Sequence, residues 1–177
     1  MNKIIKNNKG YTLLFAVLVS SIVLAVGISI LTISKKEFLL SSSARESITA
    51  FYAADSGLEC ALYYNDNTDA FSSSTASIAG TIYYMGRCMG NDINTTATNI
   101  SDAGIEKYSF VFHTKMQNAS SKACAIVTVT KTFYNVPSYG LLASTTIISR
   151  GTNLGWKNGT CSEPSPRRVE RAIQYAF

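Results

Sequence analysis

The hydrophobic residues of this chain are concentrated in one segment near its amino end. Residues 11–34 contain no charged side chain and are rich in leucine, isoleucine and valine. As a helix, this segment would measure about 36 Å at ~1.5 Å per residue, longer than the ~30 Å hydrocarbon core of a bilayer. A secretory signal peptide has an apolar core of only about 7–15 residues and then a small-residue cleavage site, which is missing before Lys35. The pattern therefore predicts a membrane-spanning helix.

Helical spacing continues beyond this segment. Apolar residues recur every three or four positions, which is typical of one face of an amphipathic helix. These residues are Leu40, Ala44, Ile48, Phe51, Ala54, Leu58 and Leu62. No proline interrupts residues 11–64. We therefore expect one long helix over residues 11–64, with its first half in lipid and its second half packed on a folded domain.

The pattern then changes from helical spacing to alternation. Residues 65–80 are polar apart from Phe71 and Ile78, and we expect a loop there with these two side chains as anchors. Segments rich in β-branched and aromatic residues follow, and each predicts a strand. They are residues 81–85, 108–113, 123–134, 143–150 and 167–177, with a turn at 135–140. The order predicts an α+β fold in which an antiparallel sheet lies on the outer half of the helix.

These patterns divide the chain into four segments. Residues 1–10 form a basic leader, 11–34 the membrane half of the helix, 35–64 its amphipathic half, and 65–177 a β-rich domain. The net charge is +5, and the leader contains three lysines and no acid. This excess of positive charge before the span places the amino end in the cytoplasm and the β-rich domain outside. Without those lysines the net charge is +2, too small for a nucleic-acid-binding surface.

Candidate catalytic and ligand-binding residues are sparse. His113 is the one histidine, so a histidine-built metal site is not expected. The sequence contains no glycine-rich phosphate loop and no hydrolase or metalloprotease motif. We therefore expect no enzyme activity, no catalytic residue, no cofactor and no metal. Tyr63, Tyr64, Tyr83 and Tyr84 are assigned to core packing in preference to an aromatic ligand surface.

The four cysteines all follow the predicted span and would therefore lie outside the cytoplasm. An even number of cysteines in an oxidising compartment favours disulfides over free buried thiols. The chain contains no C-x-x-C motif, which is evidence against a zinc or redox site. Of the three pairings that four cysteines allow, we favour Cys60 with Cys88 and Cys124 with Cys161. The first pair would tie the helix to the next segment, and the second would hold a late loop against the third predicted strand.

The junction between leader and apolar segment reads K-G-Y-T-L-L over residues 9–14. It resembles the prepilin signal of type IV pilins and the related pseudopilins. This resemblance implies that a membrane aspartyl peptidase, the prepilin peptidase, cuts after Gly10 and methylates the new amino terminus at Tyr11. A glycine suits this cut because its backbone can lie extended against two catalytic carboxylates. The resemblance also implies a pilin-like fold and assembly with other pilins through the helix.

The resemblance extends along the helix. In a filament, the side chains of Phe15, Leu40, Ala44, Ile48 and Phe51 would pack in the core. The stretch A-F-Y-A-A-D-S-G-L-E, residues 50–59, is similar to a conserved stretch of PilX-type proteins. Residues 167–172 also resemble the end of those proteins, although a basic strand can equally be a charged edge that discourages aggregation.

Phe15 departs from the common pilin pattern. Most pilins have a glutamate at the fifth mature position, which pairs with the amino terminus of a neighbouring subunit. Phe15 resembles instead the PilX and GspK groups of minor pilins and pseudopilins, which lie at or near the filament tip. The resemblance therefore implies a minor tip or priming subunit, with partners among pilins, the prepilin peptidase and membrane lipid.

Two alternatives stay open at this point. The chain can be a major pilin, or a pseudopilin of a secretion or DNA-uptake system. It can also belong to another class, the membrane-anchored binding proteins, which hold an extracytoplasmic ligand and never assemble. In the pilin interpretations the protein moves from the cytoplasmic membrane to a surface filament. The anchored interpretation needs no cut at Gly10.

Overall fold

The computed structural model describes residues 9–68, 70–72, 82–102, 105–116, 122–136 and 140–177. Helix α1 spans Lys9–Thr68. The strands that follow are β1 (Ile82–Cys88), β2 (Asn91–Asn99), β3 (Glu106–Lys115), β4 (Cys124–Val136), β5 (Gly140–Thr152), β6 (Trp156–Lys157), β7 (Thr160–Cys161) and β8 (Glu170–Ala176). One long apolar amino-terminal helix and an antiparallel sheet confirm the predicted α+β layout.

The chain divides into two compact units, with the boundary between Ala44 and Arg45. In the first unit, the described residues belong to α1, and their side chains are exposed from residue 11 onward. Four hydroxyl side chains in this part of the helix donate to carbonyl oxygens three or four residues earlier, at 2.8–2.9 Å; they are Ser20, Ser21, Ser29 and Thr32. Their polar groups are thus satisfied within the helix, as an apolar surrounding requires.

The second unit contains a six-stranded antiparallel sheet in the order β1-β2-β3-β4-β5-β8. Strands β6 and β7 form a separate two-stranded sheet between β5 and β8 in sequence. The five predicted strands correspond to β1, β3, β4, β5 and β8, most of them longer than predicted. The turn residues 137–139 lie outside the described part of the chain.

The prediction of five strands was wrong, because it missed the two-residue strands β6 and β7 and, in the main sheet, β2. Its sequence, N-D-I-N-T-T-A-T-N, is rich in asparagine and threonine and has the composition of a loop. Three alternate residues, Ile93, Thr95 and Ala97, are nevertheless fully buried. Strand β2 pairs with β1 on one side and with β3 on the other. Pairing on both sides satisfies its backbone, so side-chain propensity did not decide the conformation.

Small residues form the face of α1 that lies on the sheet. Ala50, Ala53, Ala54 and Ala61 are at most 2% exposed, and Gly57 is buried with them. A Cβ added at Gly57 would lie 2.6 Å from Ser149 Oγ and 2.8 Å from Val127 Cγ2, so the backbones of helix and sheet approach closely. Tyr64 ends this face, and its hydroxyl donates to the carbonyl of Arg87 in β1 at 2.8 Å.

The predicted packing stripe was therefore only partly right. Ala54 is buried, and Leu58 and Leu62 are half-buried at the edge of the core. Leu40, Ala44, Ile48 and Phe51 are exposed and make no part of the core. Large side chains cannot occupy the sheet-facing side where the two backbones come this close, and alanine and glycine replace them there.

The core lies between the helix and the sheet, with alternate residues of the central strands pointing inward. Its largest side chains are Phe71, Phe110, Phe112, Ile93 and Ile147, all fully buried. The rings of Phe71 and Phe110 meet edge to face at 5.3 Å. Helix α1 continues to Thr68, four residues beyond its predicted end, and Phe71 anchors the segment after it as expected. The second expected anchor, Ile78, lies outside the described residues.

Two disulfides link these elements. Cys60 of α1 is joined to Cys88 of β1, and Cys124 of β4 is joined to Cys161 of β7. Their Cα atoms are 6.0 Å and 5.8 Å apart. These are the two pairs that the sequence favoured.

Candidate functional site

The leader junction lies at the start of α1. The helix begins at Lys9, so the backbone of Gly10 is helical, and residues 1–8 lie outside the described residues. Tyr11 is 75% exposed and Phe15 is 58% exposed. The first turn carries no acidic side chain to offset the positive end of the helix dipole.

The first half of α1 presents large apolar side chains on every side. This helix is long enough and apolar enough to span a membrane, and its most apolar part is not buried against the rest of the described chain. Removing one leucine, isoleucine, valine or phenylalanine from water is worth about 1.5–3 kcal/mol. Water is thus a poor surrounding for this segment, and lipid or neighbouring helices would stabilise it strongly.

The second half of α1 also keeps large apolar residues in solvent. Phe51 is 48% exposed, and Ile48, Tyr52 and Tyr63 are exposed as well. Together with Leu40 and Ala44, Ile48 and Phe51 follow one stripe at intervals of three or four residues. In the sheet unit, Ala50, Ala54 and Gly57 occupy the side of the helix that meets the sheet, so Ile48 and Phe51 remain accessible to another helix. The structure thus leaves the predicted packing residues exposed on the described part of the helix.

A shallow groove of about 460 Å³ lies beside the Cys60–Cys88 disulfide. Glu59, Tyr63 and Arg87 line it together with the two cysteines. The guanidinium of Arg87 donates to the Asp92 carboxylate at 2.9 Å, and this hydrogen bond raises the pKa of Arg87. Both side chains are well exposed, so the pair contributes little to stability. The groove contains one carboxylate and no histidine or hydroxyl nucleophile activated by a base, which gives it no evident catalytic chemistry.

His113 lies on β3, close to the second disulfide. Its Nδ1 accepts a hydrogen bond from the backbone N–H of Cys161 at 3.3 Å. Burial lowers the pKa of His113, since a charged imidazole would lose hydration there. Among the described residues, no three histidine, cysteine, aspartate or glutamate side chains come together as a metal site would require. His113 therefore supports the fold around Cys161.

The four tyrosines assigned to the core divide into two pairs. Tyr64 is buried and Tyr83 is half-buried, and the Tyr83 hydroxyl donates to the carbonyl of Ala70 at 3.0 Å. Burial raises the pKa of Tyr83. Tyr63 and Tyr84 are exposed, so their assignment to the core was wrong. Each exposed ring is adjacent in sequence to a buried one. Successive side chains point to different sides of a helix and to opposite faces of a strand, so only one tyrosine of each pair can face the core.

Two features of the site were not predicted from the sequence. The first is the close packing of small residues, with Gly57 of α1 against Ser149 and Gly151 of β5 against Ala50 and Ala54. This packing leaves the larger helix residues outward, and the alanine-rich stretch 50–54 was its signal. The second is the open edge of the sheet at β8. Its basic residues were visible in the sequence, but the unpaired edge depends on strand order.

No family model, no curated protein and no solved structure matches this chain. The pilin interpretation therefore stays a resemblance of the leader junction and the helix, and the function must be inferred from the residues themselves.

Proposed function

We propose that this chain is a minor subunit of a type IV pilus-like filament, active at its tip or in priming its assembly. The chain is inserted in the cytoplasmic membrane with its amino end inside. The prepilin peptidase cuts it after Gly10 and methylates Tyr11. It then leaves the membrane by packing its helix against those of other pilins and becomes part of a surface filament.

The observation that carries this proposal is the exposed apolar helix. The large apolar side chains between Leu13 and Ile33 are exposed, and so are Ile48 and Phe51 of the outer stripe. A simple anchor needs only the lipid-facing segment to be apolar. An apolar stripe that continues along the helix above the membrane needs a further partner, and helices of neighbouring subunits meet that need.

Phe15 supports a minor rather than a repeating subunit. A glutamate at this position can pair with the charged amino terminus of the next subunit, but a phenyl ring cannot. A buried ammonium without a partner costs several kcal/mol. One copy at a tip does not meet this penalty, because no subunit above it presents an amine.

Cleavage is the step that tests the proposal first. Gly10→Val should leave a longer precursor in the membrane, because a branched side chain at the cut prevents the close backbone approach that cleavage needs. Gly27→Val is the matched control, since a Cβ at Gly27 meets no atom within 4 Å. Amino-terminal sequencing and intact mass should show methylated Tyr11 as the first residue in wild type and in Gly27→Val, and uncut Met1 in Gly10→Val.

The opposite result is equally clear. If wild type and Gly10→Val both retain Met1, and their masses differ only by the substitution itself, no prepilin peptidase acts on the chain. The protein is then a membrane-anchored binding protein, and its exposed stripe must bind a partner other than a pilin.

A further inference from the structure

Strand β8 ends the six-stranded sheet with an open edge. It pairs with β5 alone among the described strands. Phe177 and Thr145 exchange both backbone hydrogen bonds, at 2.8 Å and 3.0 Å. In an antiparallel ladder, alternate residues then bond toward β5, and the residues between them point their N–H and C=O groups away. The groups that face outward belong to Glu170, Ala172, Gln174 and Ala176.

The opposite edge of the sheet is protected, whereas β8 carries charges only at its first two residues, Glu170 and Arg171, and is unprotected beyond them. Strand β1 has a bulge between Tyr84 and Gly86, and the Arg87–Asp92 ion pair lies next to it. Bulges and charges are the usual devices that keep sheet edges from pairing. Residues 172–177 contain no charge and no proline, and β8 pairs with β5 in unbroken register. The unpaired backbone groups of this part of the edge can therefore pair with another strand.

The two ends of this edge differ in chemistry. Near Glu170 the side chains of Arg150 and Arg167 are exposed and form no ion pair with a described residue, and Arg171 donates only to Ser47 Oγ at 2.8 Å. The Glu170 carboxylate forms an ion pair with the Arg168 guanidinium at 3.7 Å, which balances its negative charge. The first end is therefore basic.

At the other end, Tyr175 and Phe177 are 48% and 51% exposed. Their rings lie 5.4 Å apart. This end is therefore aromatic and uncharged.

We propose that β8 binds an extended segment of a partner protein, which adds to the sheet as a seventh strand. The segment runs antiparallel to β8, carries acidic side chains at its carboxyl end and apolar ones at its amino end. In this direction its acidic end lies beside Arg171, and its apolar end beside Tyr175 and Phe177. Backbone hydrogen bonds supply affinity, and the basic and aromatic ends select the sequence and its direction.

A second copy of the chain fits this edge poorly. Two β8 strands in parallel register would place Arg171 beside Arg171 and Glu170 beside Glu170, and like charges directly opposite are destabilising. An antiparallel pair would place Arg171 of each copy beside the uncharged aromatic end of the other, so neither basic end would meet an acidic side chain.

Fluorescent peptides and full-length, oxidised protein in lipid nanodiscs test the proposal by anisotropy. The first peptide alternates valine and threonine and ends in two glutamates at its carboxyl end. The second peptide has the glutamates at its amino end instead. The third has two lysines at its carboxyl end in place of the glutamates. The fourth has the sequence of the first, with alternate backbone nitrogens methylated. We expect the first to bind at least about tenfold more tightly than the others, the effect of one charge-assisted hydrogen bond.

A matched pair of variants checks where the peptide binds. Gln174→Pro removes an outward N–H without touching a bond to β5, and proline is tolerated at such an edge position. It should abolish binding, while Gln174→Ala should bind as wild type does. Arg171→Gln should weaken the first peptide about tenfold and leave the lysine peptide unchanged. Hydrogen exchange should slow at residues 172, 174 and 176 when the first peptide is bound.

Three results would overturn the proposal. They are equal binding of the acidic and lysine peptides, unchanged binding by Gln174→Pro, and no binding of the first peptide to wild type. Self-association that Gln174→Pro abolishes would assign the edge to a second copy instead. None of these results depends on cleavage at Gly10, so failure of this proposal and failure of the filament proposal can be told apart.

Discussion

Two glycines determine how closely α1 and the sheet approach each other. A Cβ on Gly151 of β5 would meet the backbone oxygen of Ala50 and the backbone nitrogen of Ala54. A Cβ on Gly57 would meet side chains, with Ser149 Oγ nearest at 2.6 Å. Side chains can shift a little, but the backbone of a helix cannot shift locally. The two positions therefore differ in how much they tolerate.

This difference predicts an order of stabilities among three glycine-to-alanine variants. Gly57→Ala should lower the free energy of unfolding by about 1–3 kcal/mol through overpacking. Gly151→Ala should lower it further, because the helix must move as a whole. Gly27→Ala meets nothing within 4 Å and should leave the unfolding of the sheet unit unchanged. Denaturant titration in detergent, followed by Trp156 fluorescence, measures all three; equal values for Gly57→Ala and Gly27→Ala would contradict the close packing.

His113 should make the sheet unit sensitive to mild acid. Burial lowers its pKa in the folded state, whereas an unfolded histidine has a pKa of about 6.5. Below about pH 6.5 the unfolded chain therefore binds more protons than the folded one, and stability falls as the pH falls. The free energy of unfolding should decrease from pH 7 to pH 5, by at most about 1.4 kcal/mol per pH unit from this group.

His113→Asn supplies the control for this pH dependence. Its side-chain oxygen can still accept from the N–H of Cys161, but it does not titrate. We expect its unfolding free energy to change less between pH 7 and pH 5 than that of wild type. Parallel pH profiles for the two proteins would show that carboxylates, and not His113, cause the loss.

Among the elements, the helix was the easiest to predict and β2 the hardest. Residues 11–34 lack every charge, and no proline follows before residue 64, so local sequence alone indicated a long helix. Strand β2 owes its conformation to neighbours on both sides, which a local pattern does not contain. The side of the helix that meets the sheet was misjudged for a related reason, since the predicted stripe ran through Leu40, Ile48 and Phe51, which are exposed. The burial of Gly57 and Ala54 depends on how closely the sheet approaches, and only the assembled fold shows that distance.

The two disulfides should differ in how fast they are reduced. Cys124 and Cys161 are fully buried, while Cys60 is half-buried and lines the groove with Cys88. A thiol reductant needs access to sulfur, so Cys60–Cys88 should open first under native conditions. Alkylation followed by mass mapping should find label on Cys60 and Cys88 before the other two, and no label without reductant.

Paired serine variants complete this test. With Cys60→Ser and Cys88→Ser together, the remaining disulfide should reduce only slowly, and stability should fall by about 3–4 kcal/mol on the loop-entropy estimate. Faster reduction of Cys124–Cys161 than of Cys60–Cys88 in wild type would contradict the order that burial predicts.

At the scale of the whole molecule, two kinds of surface are left for partners. The helix offers an apolar stripe that includes Ile48 and Phe51, suited to other helices. The sheet offers the β8 edge, suited to an extended strand. Under the proposed function, the helix stripe would join the chain to a filament, and the β8 edge would hold a partner segment there. A tip subunit can use both surfaces at once, because they lie on different elements.

Copy number decides whether the chain is such a tip subunit. Every repeat of a filament built from this chain alone would bury an amino terminus next to Phe15, at a cost of several kcal/mol each time. We therefore expect few copies in sheared filaments, relative to a pilin from the same cells with glutamate at its fifth mature position; quantitative proteomics measures the ratio.

Phe15→Glu should raise the ratio, because the carboxylate can pair with the amine of a neighbour. Leu14→Glu should not, since it places the same charge on another side of the helix. If the wild-type chain is the dominant component, the tip assignment is wrong and the chain is the major subunit.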